Sequence, residues 1–82
     1  MSTTTLTEEH TEKITALGRL VGELRAIRGW SVITLAERAD VTPQTIYSIE
    51  RGDMVRPGVT TVSKVASAFD ATAADLLDEV GL

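Results

Sequence analysis

Apolar residues recur every three or four positions through the first third of the chain, at Ile14, Leu17, Val21, Leu24 and Ile27. Side chains three and four apart share one face of an α-helix, so this stripe predicts an amphipathic helix. Thr7 offers a capping hydroxyl, with Glu8 and Glu9 in the first turn, where carboxylates suit the positive helix end. Ser2, Thr3, Thr4 and Thr5 form a polar, mostly β-branched run expected to fray. Gly18 and Gly22 interrupt the stripe at a cost of about 1 kcal/mol each relative to alanine. The pattern therefore admits one long helix or a break between Thr15 and Gly18. One helix reaching Arg28 is the preferred reading, with Gly29 stopping it at the C′ position.

Four shorter helices follow from the same kind of signal. Ser31 caps the second, whose apolar side is Leu35, Ala36 and Ala39, and Asp40 and Val41 form a turn. Thr42 caps the third, with Pro43 at the first helical position, where its missing N–H is not needed. Ile46 and Ile49 point inward from it and Gly52 ends it. Asp53 to Gly58 is expected to be a loop. Val59, Val62, Val65, Ala66 and Phe69 define the fourth helix, which starts at Gly58 or Thr60. After a turn at Asp70 and Ala71, Thr72 with Asp75 makes a capping box with a short acid, and Leu76, Leu77 and Val80 complete the fifth. With no alternating strand pattern, the expected fold class is all-α, a five-helix bundle. Residues 1–15 are expected to be a frayed or helical extension, and residues 16–82 the folded domain.

Composition narrows the function. The chain has 82 residues, 43% hydrophobic and 24% charged, in keeping with one small globular domain. A core of this size supplies only about 3–5 kcal/mol, which leaves little from which to carve an enzyme pocket. There is no cysteine, and His10 is the only histidine. Disulfides, thiolate catalysis, histidine-paired nucleophiles and His/His metal clusters are thereby excluded for this chain alone. No enzyme activity, metal or cofactor is expected. Thr72 capping accounts for Asp75, and a solvated face accounts for Asp78 and Glu79. No apolar run approaches the roughly 20 residues of a membrane span, and the first residues lack a secretory pattern. A cytoplasmic setting without membrane contact is expected.

Charge changes the picture more. The net charge is −4, yet the acids concentrate at the two ends. Residues 18–57 hold six arginines against five acids and no lysine, so the centre is the one segment that is not acidic. Arginine's planar fork suits bidentate contact with phosphate and guanine. Within that centre, Ser31 to Asp53 reads as two short helices joined by a turn of three or four residues. Ala36 is small where those helices approach. The second helix offers Gln44, Thr45, Tyr47 and Ser48 outward while burying Ile46 and Ile49. This is the arrangement in which one helix braces and the next presents polar side chains to the major groove of DNA.

The segment LAERADVTPQTIYSIERGD, preceded by LRAIRGWS and followed by RPGVTTVSKVASAF, resembles the Cro and phage-repressor helix-turn-helix family of the Xre type. The likeness runs from Leu17 to about Leu77, with Ser31, Leu35, Ala36, Val41, Ile46, Glu50, Arg51, Gly52 and Pro57 in register. It implies a phage-repressor-like five-helix fold and a sequence-specific transcriptional regulator acting as a homodimer on a palindromic operator. It further implies base contacts from Gln44, Thr45, Tyr47 and Ser48, and phosphate contacts from Thr42, Arg38, Arg51 and Arg56. Arg25 and Glu50 match a family ion pair tying the first helix to the third. Three positions depart from the pattern. Val32 stands where a phosphate-touching glutamine is frequent, Pro43 replaces a polar reader, and Asp40 stands where glycine is common.

Leu76, Leu77, Val80 and Leu82 are more apolar than a terminal helix needs, which marks them as a candidate dimer interface. A dimer doubles the phosphate contacts, and affinity scales with the number of phosphates neutralised. Double-stranded DNA and a second copy of the chain are therefore the expected partners. The alternative is an antitoxin or protein-interaction module on the same fold, with a toxin or polymerase as the protein partner.

Overall fold

Local chemistry decides where each helix starts and stops. The computed structural model describes residues 3–53 and 58–81, with side chains from Thr11 onward. It contains α1 (Thr3–Ile27), α2 (Val32–Ala39), α3 (Pro43–Arg51), α4 (Val59–Ala68) and α5 (Ala73–Glu79), and no strand among the described residues. Four of the five helices close in the same way. Trp30 N–H donates to Arg25 O, Val41 to Ala36 O, Asp53 to Ser48 O and Ala71 to Ala66 O, at 2.9–3.1 Å. In each case the preceding residue is left-handed: Gly29 at φ 70°, Asp40 at 58°, Gly52 at 74° and Asp70 at 59°. This is the Schellman closure, and aspartate tolerates the left-handed conformation better than most side chains. Asp40 thus does the backbone work for which glycine is the common choice.

The starts are equally local. The Ser31, Thr42 and Thr72 hydroxyls accept the N–H groups of Thr34, Thr45 and Asp75 at 3.1–3.2 Å. The Asp75 carboxylate accepts Thr72 N–H in return, completing the capping box of α5. Gly58 is the N-cap of α4. The sequence leaves the start of α1 open: the helix is already formed at Thr3, and Thr7, a possible cap, lies inside it. No proline interrupts residues 3–27, and threonine lowers helix propensity by only a few tenths of a kcal/mol, so nothing forces a start at Thr7.

α1 is the spine on which two apolar clusters are built. Val21 packs with Leu35, Ala36, Ala39, Ile46, Ile49, Val65 and Phe69. One turn earlier on the same helix, Leu17 packs with Ala66 and Leu76. The first cluster holds α2, α3 and α4 together, and the second attaches α5. Between them, Leu17, Val21, Ile49, Val62, Val65 and Leu76 line a half-open apolar gap of about 10 Å³. That is close to the least volume a single water occupies, so it is a packing gap.

The two glycines of α1 have a tertiary role that their helix propensity conceals. A Cβ built at Gly18 would overlap the carbonyl oxygen of Ile49 and lie 3.2 Å from Glu50 O. At Gly22 the nearest atom is the Glu50 carboxylate, 3.4 Å away. Gly18 and Gly22 are one turn apart and face the C-terminal end of α3; at Gly18 the backbones of α1 and α3 cross where a side chain would hold them apart, whereas at Gly22 only the Glu50 side chain is near. The contact at Gly18 fixes the angle at which α3 leaves the core.

Candidate nucleic-acid interface

α2, the turn Asp40–Val41 and α3 form a unit with a dry inside and a wet outside. Ile46 is 0% exposed, and Leu35 and Ala36 of α2 are fully buried against it. Val41 packs half-buried against the same cluster and anchors the turn. On the outer side Gln44 is exposed and Tyr47 is 47% exposed, whereas Thr45 and Ser48 are half-buried. The Thr45 hydroxyl lies 3.0 Å from the Thr42 hydroxyl, as Thr34 does from Ser31. The first turns of α2 and α3 therefore begin with paired hydroxyls and carry no acid, in contrast to α5.

Two devices brace this unit from behind. In the first, Arg25 of α1 grips Glu50 of α3 with both arms of its guanidinium. Nε donates to Oε2 at 2.8 Å and Nη2 to Oε1 at 3.0 Å, while Nη1 donates to Trp30 O at 2.9 Å. All three donors face oxygen, a fork geometry that lysine cannot reproduce. The hydrogen bond to Glu50 pushes the guanidinium further above its ordinary range, against a smaller opposing effect of burial. In the second, Trp30 stacks on Phe69 with ring centres 5.6 Å apart. The Arg38 guanidinium lies 4.6 Å from the indole centre, and Arg28 lies 5.3 Å from Trp30 and 5.6 Å from Phe69. Arg28 also donates to Phe69 O at 3.2 Å. This cluster joins the end of α1, the last turn of α2 and the end of α4.

The outward cations have distinct circumstances. Arg51, at the end of α3, is exposed and its Nε lies 2.8 Å from Asp53 Oδ2. Arg38 is exposed, with its guanidinium against the Trp30 ring, a contact made by the face of the group rather than by its N–H donors. Arg56 lies outside the described residues. On α5, Leu76 is only 4% exposed because it closes the second cluster, so a partner would meet little of it. Leu77 and Val80 are half-buried and pack, like Leu20 and Leu24 of α1, against the cluster of Leu17, Ala66 and Leu76, and Leu82 lies outside the described residues. The close approach of Gly18 and Gly22 to α3, the stacking of Arg28 and the Arg51–Asp53 pair went unread in the sequence. The four-residue spacing of the glycines was the available signal for the first.

A helix-turn-helix family model matches residues 21–76, from the second half of α1 into α5. The HTH-type transcriptional regulator SinR of Bacillus subtilis (strain 168) is 33% identical over 63 residues, which are 77% of this chain and 57% of SinR. The chain thus spans little more than half the length of that curated relative. Among solved structures, the clp gene regulator ClgR from C. glutamicum superposes with a TM-score of 0.72 at 30% identity, covering 84% of this chain and 87% of that one. SinR in complex with DNA gives 0.69 at 32% identity, covering 76% and 98% respectively. These relatives are regulators, not enzymes, and no helix among the described residues is long and apolar enough to cross a membrane. The braced α2–turn–α3 unit, the five-helix order and these matches together place the chain in the phage-repressor-like helix-turn-helix family of transcriptional regulators.

Proposed function

We propose that this chain binds double-stranded DNA sequence-specifically, inserting α3 into the major groove, and regulates transcription as a homodimer on a two-fold operator. The observation that carries this reading is the orientation of α3. Ile46, at 0% exposure, turns one side of the helix into the core, which leaves Gln44 and Tyr47 facing solvent near its first turn. Gln44 is the primary base reader, because glutamine pairs bidentately with adenine. Tyr47 and the half-buried Ser48 and Thr45 flank it. Thr42, Arg51 and Arg56 meet phosphates. Residues 16–82 are the recognition domain, and residues 3–15 carry α1 ahead of it. Leu77, Val80 and Leu82 face the second copy, which sets the two α3 helices about 34–36 Å apart, one turn of DNA.

Selection on random duplex DNA tests the proposal: a palindromic consensus with half-sites one turn apart is the expected product. Gln44→Ala then relaxes preference at one base position by about 1–3 kcal/mol while leaving the salt dependence unchanged. Measured by competition titration against single-base operator variants, an unaltered preference would remove Gln44 from the reading face.

A further inference from the structure

Asp53 is placed against the electrostatic grain of its surroundings. It follows Gly52 at the C-terminal end of α3, where the helix already presents its negative pole and a cation is the favoured neighbour. Its backbone is not loose, because Asp53 N–H is tied to Ser48 O at 2.9 Å. The backbone that carries the carboxylate is therefore held in place beside the helix end. The carboxylate's partner is Arg51, with Nε 2.8 Å from Oδ2, and both side chains are more than half exposed, at 57% and 58%. Exposed pairs of this kind contribute little to folding. The acid thus opposes the helix dipole, adds a negative charge beside the C-terminal end of α3, and gives little stability in return. What it does do is occupy the one cation at that end of the helix among the described residues.

We propose that Asp53 is a specificity-determining residue: its carboxylate competes with DNA phosphate for Arg51 and so suppresses sequence-independent binding. The inference rests on the DNA-binding reading above and adds to it a brake on general affinity. Phosphate contacts supply nearly all non-specific binding and carry no sequence information. A cation held by an internal carboxylate is withheld from every duplex alike. It is released only where base contacts from Gln44 seat α3 deeply enough for a phosphate to displace Asp53. The pair is weak enough to exchange, as such a competitor must be.

The test uses the full chain and two duplexes, one of random sequence and one carrying the selected operator, titrated by fluorescence anisotropy across a salt series. Asp53→Asn is expected to tighten random-duplex binding about fivefold to tenfold near 0.1 M salt and to steepen log K against log[salt] by about 0.9 per protomer, one phosphate gained. Operator binding gains less, so the ratio of specific to non-specific affinity falls. In an Arg51→Ala background the same change has no effect. Both positions are exposed, and circular dichroism checks that each variant stays folded. A gain from Asp53→Asn that survives Arg51→Ala would show general charge removal and overturn the proposal, as would no gain at all. Wild-type chain that binds neither duplex, with every variant likewise silent, overturns the DNA-binding reading and this inference together. Wild-type binding with an unresponsive Asp53 overturns the inference alone.

Discussion

Replacing Gly18 by alanine is expected to unfold much of the domain. In an ordinary helix the change stabilises by about 1 kcal/mol. Here the new Cβ meets the carbonyl oxygen of Ile49, with the carbonyl carbon 3.1 Å and Glu50 O 3.2 Å away. These are backbone atoms in the last turn of α3 and cannot rotate aside as a side chain can. α1 and α3 must separate, which loosens Leu17, Val21 and Ile49 at once. Overpacking of this kind costs about 3 kcal/mol, a large part of what a core this small supplies. Gly22→Ala is the internal control. Its nearest neighbour is the Glu50 carboxylate at 3.4 Å, an ordinary van der Waals contact, so the helix-propensity gain largely survives and stability changes by less than about 1 kcal/mol. Urea denaturation followed by circular dichroism reads both, and equal midpoints for the two variants would show that α1 and α3 do not cross so closely.

Removing Glu50 is the second large effect. Glu50→Ala leaves Arg25 bonded to Trp30 O alone, with two of its three donor arms unanswered. Stranding one member of a fully buried pair costs about 3–5 kcal/mol, and the residual exposure here, 23% for Arg25 and 18% for Glu50, reduces the expectation to about 2–3 kcal/mol. Glu50→Gln keeps the shape and one acceptor and is expected to lose about 1 kcal/mol. Combining Glu50→Ala with Arg25→Ala should recover part of the loss, since the stranded charge is gone. A double-mutant cycle in urea measures that coupling, and strict additivity would deny it. The pair also sets a pH expectation. The guanidinium is raised above its unfolded value, so its contribution is fully present below that value and is lost only at strongly alkaline pH. Across the neutral range the arginine half of the pair adds no pH dependence to stability.

The helix-turn-helix segment was legible because its boundaries are written locally. Ser31, Thr42, Pro43 and Gly52 act on backbone groups within four residues of themselves, and the inward spacing of Ile46 and Ile49 fixes which side of α3 is dry. The capping box at Thr72 and Asp75 was legible for the same reason. The start of α1 was not, because the helix runs back to Thr3 without any residue that marks an end. The role of Gly18 was not legible, since the atoms that require a glycine there are in the backbone of α3, some thirty residues away in sequence. The ring contacts of Arg28 and Arg38 were not legible, because nothing near them in sequence shows that Trp30 and Phe69 stack together. The sequence places Asp53 at the start of a loop, and its tie to Ser48 O and its pairing with Arg51 emerge only in the fold. Local signals gave the elements and the reading face, whereas the braces that aim that face are long-range and needed the fold.

Trp30 is the chain's single tryptophan, and it lies where α1, α2 and α4 meet, stacked on Phe69 with Arg38 against the indole. Its ultraviolet emission therefore reports on one junction and no other. Undocking of α2 from α4 should shift the emission to longer wavelength, while fraying of α5, attached through the separate cluster at Leu17, should leave the spectrum still. The protein carries a built-in optical probe that distinguishes loss of its reading head from loss of its tail.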